Sequence, residues 1–146
     1  ASDIMLIDEN GTALGLRSTP GEWKALLKAL RWKNVIPHPS VMFRRHQVLS
    51  VGGYSTKAKH AEDYELWLNL AAQESFAVAP IPLTFYRLHS RQISRASFIG
   101  SQSSAAVLEA RLRLARSRGE SQIMARFRHA AWSIRQILRR LGTRTA

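Results

Sequence analysis

Three short stretches of this chain carry side chains whose types and spacing suit proton transfer and anion handling. In the first, Gly52-Gly53-Tyr54 leads through a polar spacer into His60-Ala61-Glu62-Asp63-Tyr64-Glu65-Leu66-Trp67. A flexible glycine turn thus feeds an acidic pair into the first turn of an apolar helix. Carboxylates there meet exposed amide groups and the positive end of the helix macrodipole. Plain helix capping explains such a pair. A general base at a domain edge explains it as well: the dipole favours the ionised form and weakens the base, which suits an acceptor hydroxyl that loses its proton late. Asp63 and Glu62 are therefore the candidate catalytic residues.

The second stretch is His38-Pro39-Ser40, where a loop enters an apolar run. A residue before proline is held extended, so His38 is kept out of a helix, and His38 and Ser40 either bond loop backbone or line a cleft. The third is Tyr86-Arg87-Leu88-His89-Ser90 at the end of a strand, where alternation places Arg87 and His89 on one face. An arginine and a histidine so placed suit a pyrophosphate or its metal, and equally suit a solvated strand end. Other chemistries lack their motifs. His60, Glu62 and Asp63 do not have helical i, i+4 zinc spacing, and there is no Gly-x-Ser-x-Gly elbow, P-loop or Gly-x-Gly-x-x-Gly turn.

The elements that must position these groups follow from pattern. Ile4–Ile7, the turn Asp8-Glu9-Asn10-Gly11 and Ala13–Leu16 read as a β-hairpin. Thr19-Pro20-Gly21-Glu22 reads as a capping box opening a helix from Pro20 to about Trp32. Val41-Met42-Phe43 is expected as a short buried strand, and Arg44–Val51 as a short helix ended by Gly52-Gly53. Leu66, Trp67, Leu70 and Ala71 form the stripe of a helix over Glu62–Gln73. Phe76–Ala79 and Leu83–Leu88 read as two strands broken by Pro80 and Pro82, and from Ala96 onward the pattern is helical, with Ala105–Arg116 and Ser121–Leu141 separated by Gly119.

The 146 residues suit one domain with a real core. An apolar content of 45% with four tryptophans argues against disorder, and the absence of cysteine excludes disulfides and thiolate metal sites. The longest apolar run, Phe76–Leu83, holds two prolines and is far below the ~20 residues that span a bilayer. The formal net charge is +12, and beyond Leu66 the only acidic residues are Glu74, Glu109 and Glu120. Basic charge concentrated toward the C-terminus points to an anionic partner.

The order of the motifs is more specific than any one of them. Asn34-Val35-Ile36-Pro37-His38-Pro39-Ser40-Val41-Met42-Phe43-Arg44-Arg45, Val51-Gly52-Gly53-Tyr54, Glu62-Asp63-Tyr64-Glu65-Leu66-Trp67 and Pro82-Leu83-Thr84-Phe85-Tyr86-Arg87-Leu88-His89 follow one another in register. This series resembles the acceptor-side, C-terminal half of the GT-A catalytic domain of glycosyltransferase family 2, over roughly residues 1–95. The resemblance implies an α/β fold, a partial GT-A (Rossmann-like) domain over 1–95 followed by a basic amphipathic helical extension of two α-helices over 96–146. It implies inverting transfer of a sugar from a nucleotide-sugar donor to a hydroxyl of a glycan or lipid-linked acceptor, in glycan biosynthesis for the cell envelope. In that family Asp63 would be the base and Glu62 would orient the acceptor or its loop. His38 and Ser40 would line the cleft, Arg87 and His89 would face donor phosphates or metal, and Tyr64 and Trp67 would mainly pack. A divalent cation, magnesium or manganese, is expected, bound mainly by the half that carries the nucleotide pocket and the Asp-x-Asp motif. That half is not in this sequence, so a catalytic fragment inactive alone is expected.

In the tail, Ile123, Phe127, Ile134, Leu138 and Leu141 share one helical face, with Arg128, Arg135 and Arg139 roughly opposite and Trp132 beside them. Such a helix packs on its own domain, or docks its Arg128, Trp132, Arg135 and Arg139 face on an anionic membrane. The expected location is cytoplasmic, peripheral at the inner face of the cell membrane. No specific nucleic acid is expected as a partner. The alternative to an enzyme is a non-catalytic basic module that binds anionic membrane or nucleic acid through its C-terminal helices.

Overall fold

A computed structural model describes residues 1–90 and 100–142, with side-chain surroundings through Leu138. The hairpin forms as its turn signal predicts. Strand β1 (Ser2–Ile7) pairs antiparallel with β2 (Ala13–Arg17), in a register that sets Ile4 opposite Arg17 and Leu6 opposite Gly15. The Asp8 carboxylate closes the turn by accepting from the backbone N–H groups of Asn10 (2.9 Å) and Thr12 (2.8 Å). On its other side β1 pairs in parallel with β3 (Ala79–Arg87), giving a three-stranded sheet of order β2-β1-β3.

Between β1 and β3 the chain makes three helices, α1 (Trp23–Leu30), α2 (Arg45–Ser50) and α3 (Glu62–Gln73). Two more follow β3, α4 (Ser101–Ser117) and α5 (Gln122–Gly142). Gly119 separates them at φ +64°, a left-handed turn natural for glycine after a helix end. One core joins all these parts. Leu26 and Leu30 of α1, Ile36, Leu66, Trp67 and Leu70 of α3, Val107 and Leu114 of α4 and Trp132 of α5 bury against one another. The C-terminal helices thus close over α3 and share its core.

Three local expectations give way to tertiary demands. Thr19 does not cap α1: the helix begins at Trp23 with Glu22 as its N-cap. Thr19 is instead buried, its N–H held by the Asp3 carboxylate at 2.8 Å, so it anchors the hairpin exit to β1. Val41-Met42-Phe43 is extended at Val41 but joins no strand of the sheet, and Met42 is 93% exposed. The place beside β1 that a buried strand needs is taken by β3. Finally, Pro80 and Pro82 do not divide two strands. Both lie inside β3, and the β1–β3 register shifts on either side of Asp3, which faces Pro82. An edge strand with an irregular ladder tolerates residues that lack an N–H. Of the helical stretch expected from Ala96, the first residues lie outside those described.

Candidate functional site

The N-terminus of α3 is built by three connections. Gly52 and Gly53 follow α2 with φ of +94° and +68°, a turn that side chains resist, and deliver Tyr54 toward α3. His60 adopts φ +66° just before Ala61, the N-cap of α3, which supplies no side-chain cap. The loop after α1 brings Asn34 and His38 in from the other side. The acidic pair of the first turn therefore meets a polar wall rather than bulk water.

Asp63 is half-buried. Its Oδ2 accepts a hydrogen bond from Asn34 Nδ2 at 2.7 Å, and its Oδ1 accepts from the Tyr64 backbone N–H at 2.6 Å. Burial raises its pKa above the ordinary carboxylate value, and the nearby Glu62 charge adds to the rise. The Tyr64 N–H, the Asn34 amide and His38 act against that rise. A dipole-depressed, weakly basic carboxylate is what the helix position alone implies; desolvation reverses the sign and makes Asp63 the stronger base. Glu62, its neighbour, is exposed.

Beside this carboxylate, His38 Nε2 and the Tyr54 hydroxyl share a hydrogen bond of 2.8 Å, with their rings 5.8 Å apart. Burial raises the Tyr54 pKa, and the Asp63 and Glu62 charges raise it further, so its phenol keeps its proton. The His38 ring also lies 6.0 Å from that of Trp67, one turn beyond Asp63 on α3. Asn34, His38, Tyr54, Glu62 and Asp63 thus form one cluster. Asn34 and Tyr54 stand in the motif runs, yet nothing in their spacing assigned them a role. The available signals were an Asn opening a proline-flanked loop and a Tyr after a double glycine.

The other expected site residues lie elsewhere. Ser40 donates from Oγ to the Pro37 carbonyl at 2.8 Å and accepts from the Ser2 N–H at 3.4 Å. It lines an apolar groove of about 720 Å³ with Met42, Phe43, Trp67 and Phe76, whose lining includes neither Asp63 nor His38. Arg87 donates to the carbonyls of Asp8 (2.9 Å) and Glu9 (2.7 Å), which places it at the hairpin turn. Ser40 touches the first residue of β1 and Arg87 pairs with the last, Ile7, so they stand at opposite ends of that strand, roughly 16 Å apart at the usual rise. His89 is exposed just beyond β3. Among the described residues no three of His, Asp and Glu gather as metal ligands, so the donor set here does not fit a divalent cation.

The tail helix is turned the other way round from its expected docking face. Trp132 is buried, its ring 5.8 Å from Tyr64 and 5.5 Å from His129, with the Arg111 guanidinium 5.8 Å away. Arg128 also turns inward, reaching Glu120 at 3.4 Å and lying 5.7 Å from the Trp32 ring centre. A large aromatic buries more apolar area than the aliphatic residues opposite it, and that decides which stripe faces the core. Ile123, Phe127, Ile134, Ile137 and Leu138 face outward, while Arg135 is exposed as expected. The Arg139 side chain lies outside the described residues.

Over 67 residues the chain is 37% identical to the O-antigen biosynthesis glycosyltransferase WbnJ of Escherichia coli. The match covers 46% of this chain and 26% of that protein, so the chain spans about a quarter of the curated relative's length where they align. No family model matches, and no solved structure matches. The fold, a small mixed sheet with helices, is compatible with a partial Rossmann-like domain.

Proposed function

We propose that this chain is the acceptor-side part of an inverting glycosyltransferase of family 2, with Asp63 as general base. The observation that carries the proposal is the half-buried Asp63 carboxylate, held by Asn34 and raised in basicity by burial. The partial likeness to an O-antigen glycosyltransferase supports the same reading. In the reaction, an acceptor hydroxyl oxygen attacks the anomeric carbon of a nucleotide-sugar as the bond to the diphosphate oxygen breaks. The hydroxyl proton passes to Asp63, and the nucleotide diphosphate leaves. The acceptor is a glycan or a lipid-linked glycan. Tyr54 and His38 stand beside the carboxylate where they can hold the acceptor, and Glu62 is the exposed neighbour that can orient it. A magnesium or manganese ion would serve the leaving diphosphate and would be held by residues other than those described.

The test is sugar transfer by the gene product that contains this chain. Asp63→Asn is expected to lower kcat by about 10²-fold or more, the usual range for a lost general base. Full activity in that variant overturns the assignment.

A second reading, of location, rests on the outward stripe of α5. Ile123 is 81% exposed and Phe127 60%, and the exposed Arg126 and Arg135 border the stripe on either side. Apolar residues flanked by arginines suit the surface of an anionic bilayer. Among the described residues no helix is long and apolar enough to cross a membrane. Vesicles containing anionic lipid are expected to retain the protein, and Phe127→Glu to release it. Equal retention by the variant, or no retention of the parent, removes the membrane reading.

A further inference from the structure

Away from Asp63, the junction of α1, α4 and α5 gathers three guanidinium groups around a single carboxylate. Arg31 stands at the C-terminal end of α1, Arg111 comes from α4 and Arg128 from α5, and with Glu120 they line one small cavity. Glu120 is shared: it pairs with Arg31 through Oε1 and with Arg128 through Oε2. Arg111 is only 3% exposed, and among the described residues no carboxylate pairs with it. Its nitrogens donate instead to the carbonyls of Arg31 and Trp32 and to the Tyr64 hydroxyl. Three positive charges against one negative leave the junction uncompensated. Each of the three arginines also keeps a buried Nε–H without an acceptor.

Buried charge and buried unpaired donors are costly, and native structures meet them with an ion or a water. The cavity has a volume of about 10 Å³, room for an occupant about the size of one water. A phosphate or sulfate is several times too large for it. A water accepts at most two hydrogen bonds and carries no charge, so it leaves both the third donor and the charge surplus in place. A small anion answers both.

We propose that this cavity binds one small monovalent anion, of which chloride is the available example, bridging Arg31, Arg111 and Arg128 and fastening α5 to α1 and α4. Burial lowers the pKa of Arg31 and of Arg111, and the Arg128 charge adds to both. These mutual repulsions are what the anion relieves. The proposal does not depend on the glycosyltransferase reading, because none of these residues belongs to the Asp63 cluster.

The experiment is thermal unfolding of the purified protein in sodium chloride, sodium bromide and sodium gluconate at equal ionic strength. A ligand that binds only the folded state raises Tm with its concentration. Chloride and bromide are expected to raise Tm by several degrees over gluconate, which is too large to enter. The halide-specific rise should vanish in Arg128→Gln, a partly exposed position where folding survives, and grow in Glu120→Gln, which removes the competing carboxylate. Equal Tm in halide and gluconate means that the cavity holds water alone and overturns the proposal. A halide effect undiminished in Arg128→Gln places the anion elsewhere and overturns it equally.

Discussion

Asn34 Nδ2 donates to Asp63 Oδ2 at 2.7 Å, tying the loop after α1 to the first turn of α3 across 29 residues of sequence. Two elements from different parts of the chain are thereby fixed at the group proposed to take the proton. Asn34 is a positioning residue in this arrangement, and it also stabilises the carboxylate's charge. Asn34→Ala is expected to reduce kcat by about tenfold, the range of one lost hydrogen bond to a charged group. Because the Asn34 bond lowers the Asp63 pKa, its loss should move the acidic limb of the pH–rate profile to higher pH. A change in kcat with an unmoved limb means that Asn34 acts through packing alone.

Asp63 sets activity against stability. Its pKa is raised in the folded state, so the unfolded chain releases this proton more readily than the folded one. The ionised form therefore burdens the folded state at neutral pH. That burden is absent below the unfolded pKa and grows as pH rises through the window between the unfolded and folded values. Asp63→Asn is expected to keep or raise Tm at pH 7 while transfer is lost, measured by calorimetry beside the activity assay. A marked fall in Tm would show that the carboxylate is chiefly structural.

His129 gives the opposite slope. Burial, aided by the Arg111 charge, lowers its pKa to about 4 from the ordinary 6.5, and its Nδ1 is buried without a partner. Folding thus favours the neutral ring. The resulting stability is fully present above about pH 6.5 and is lost as pH falls through that value toward 4. Urea unfolding between pH 7 and 4 should show this decline, and His129→Gln should flatten it.

Tyr64 donates from its hydroxyl to the Leu30 carbonyl at 2.7 Å and accepts from Arg111 at the same distance. Burial raises its pKa, so it remains a neutral phenol. Tyr64→Phe leaves a buried carbonyl and a buried guanidinium each short of a partner, at a cost of about 1–3 kcal/mol in unfolding free energy. The loss is read by denaturant titration, with the m value unchanged.

How far residues announce structure varies along the chain. The hairpin over Ile4–Leu16 and the helix over Glu62–Gln73 are legible because a turn signal and a helical stripe each act locally. Thr19 looks like a cap in its own tetrapeptide, but its N–H is claimed by Asp3, 16 residues away. The two faces of α5 are evident from periodicity, yet periodicity carries no sign. Which stripe turns inward is decided by Tyr64 and Arg111, whose side chains receive Trp132. The site shows the same division. Asp63 is visible as an acidic residue at a helix start, whereas its basicity comes from burial and from Asn34, both products of the fold.

The outer edge of β3 bears on how these molecules meet one another. In the order β2-β1-β3 this strand has a partner on one side only, and Leu83 and Phe85 are exposed on it. A sticky, unpaired ribbon is a template on which a neighbouring chain can build a shared sheet. Pro80 and Pro82 supply no N–H to such a ladder, so its first half cannot be completed. Strand-on-strand growth between copies is thereby restricted to the stretch Leu83–Arg87. The two prolines act as a brake on fibrous association in a protein that leaves much apolar surface in view.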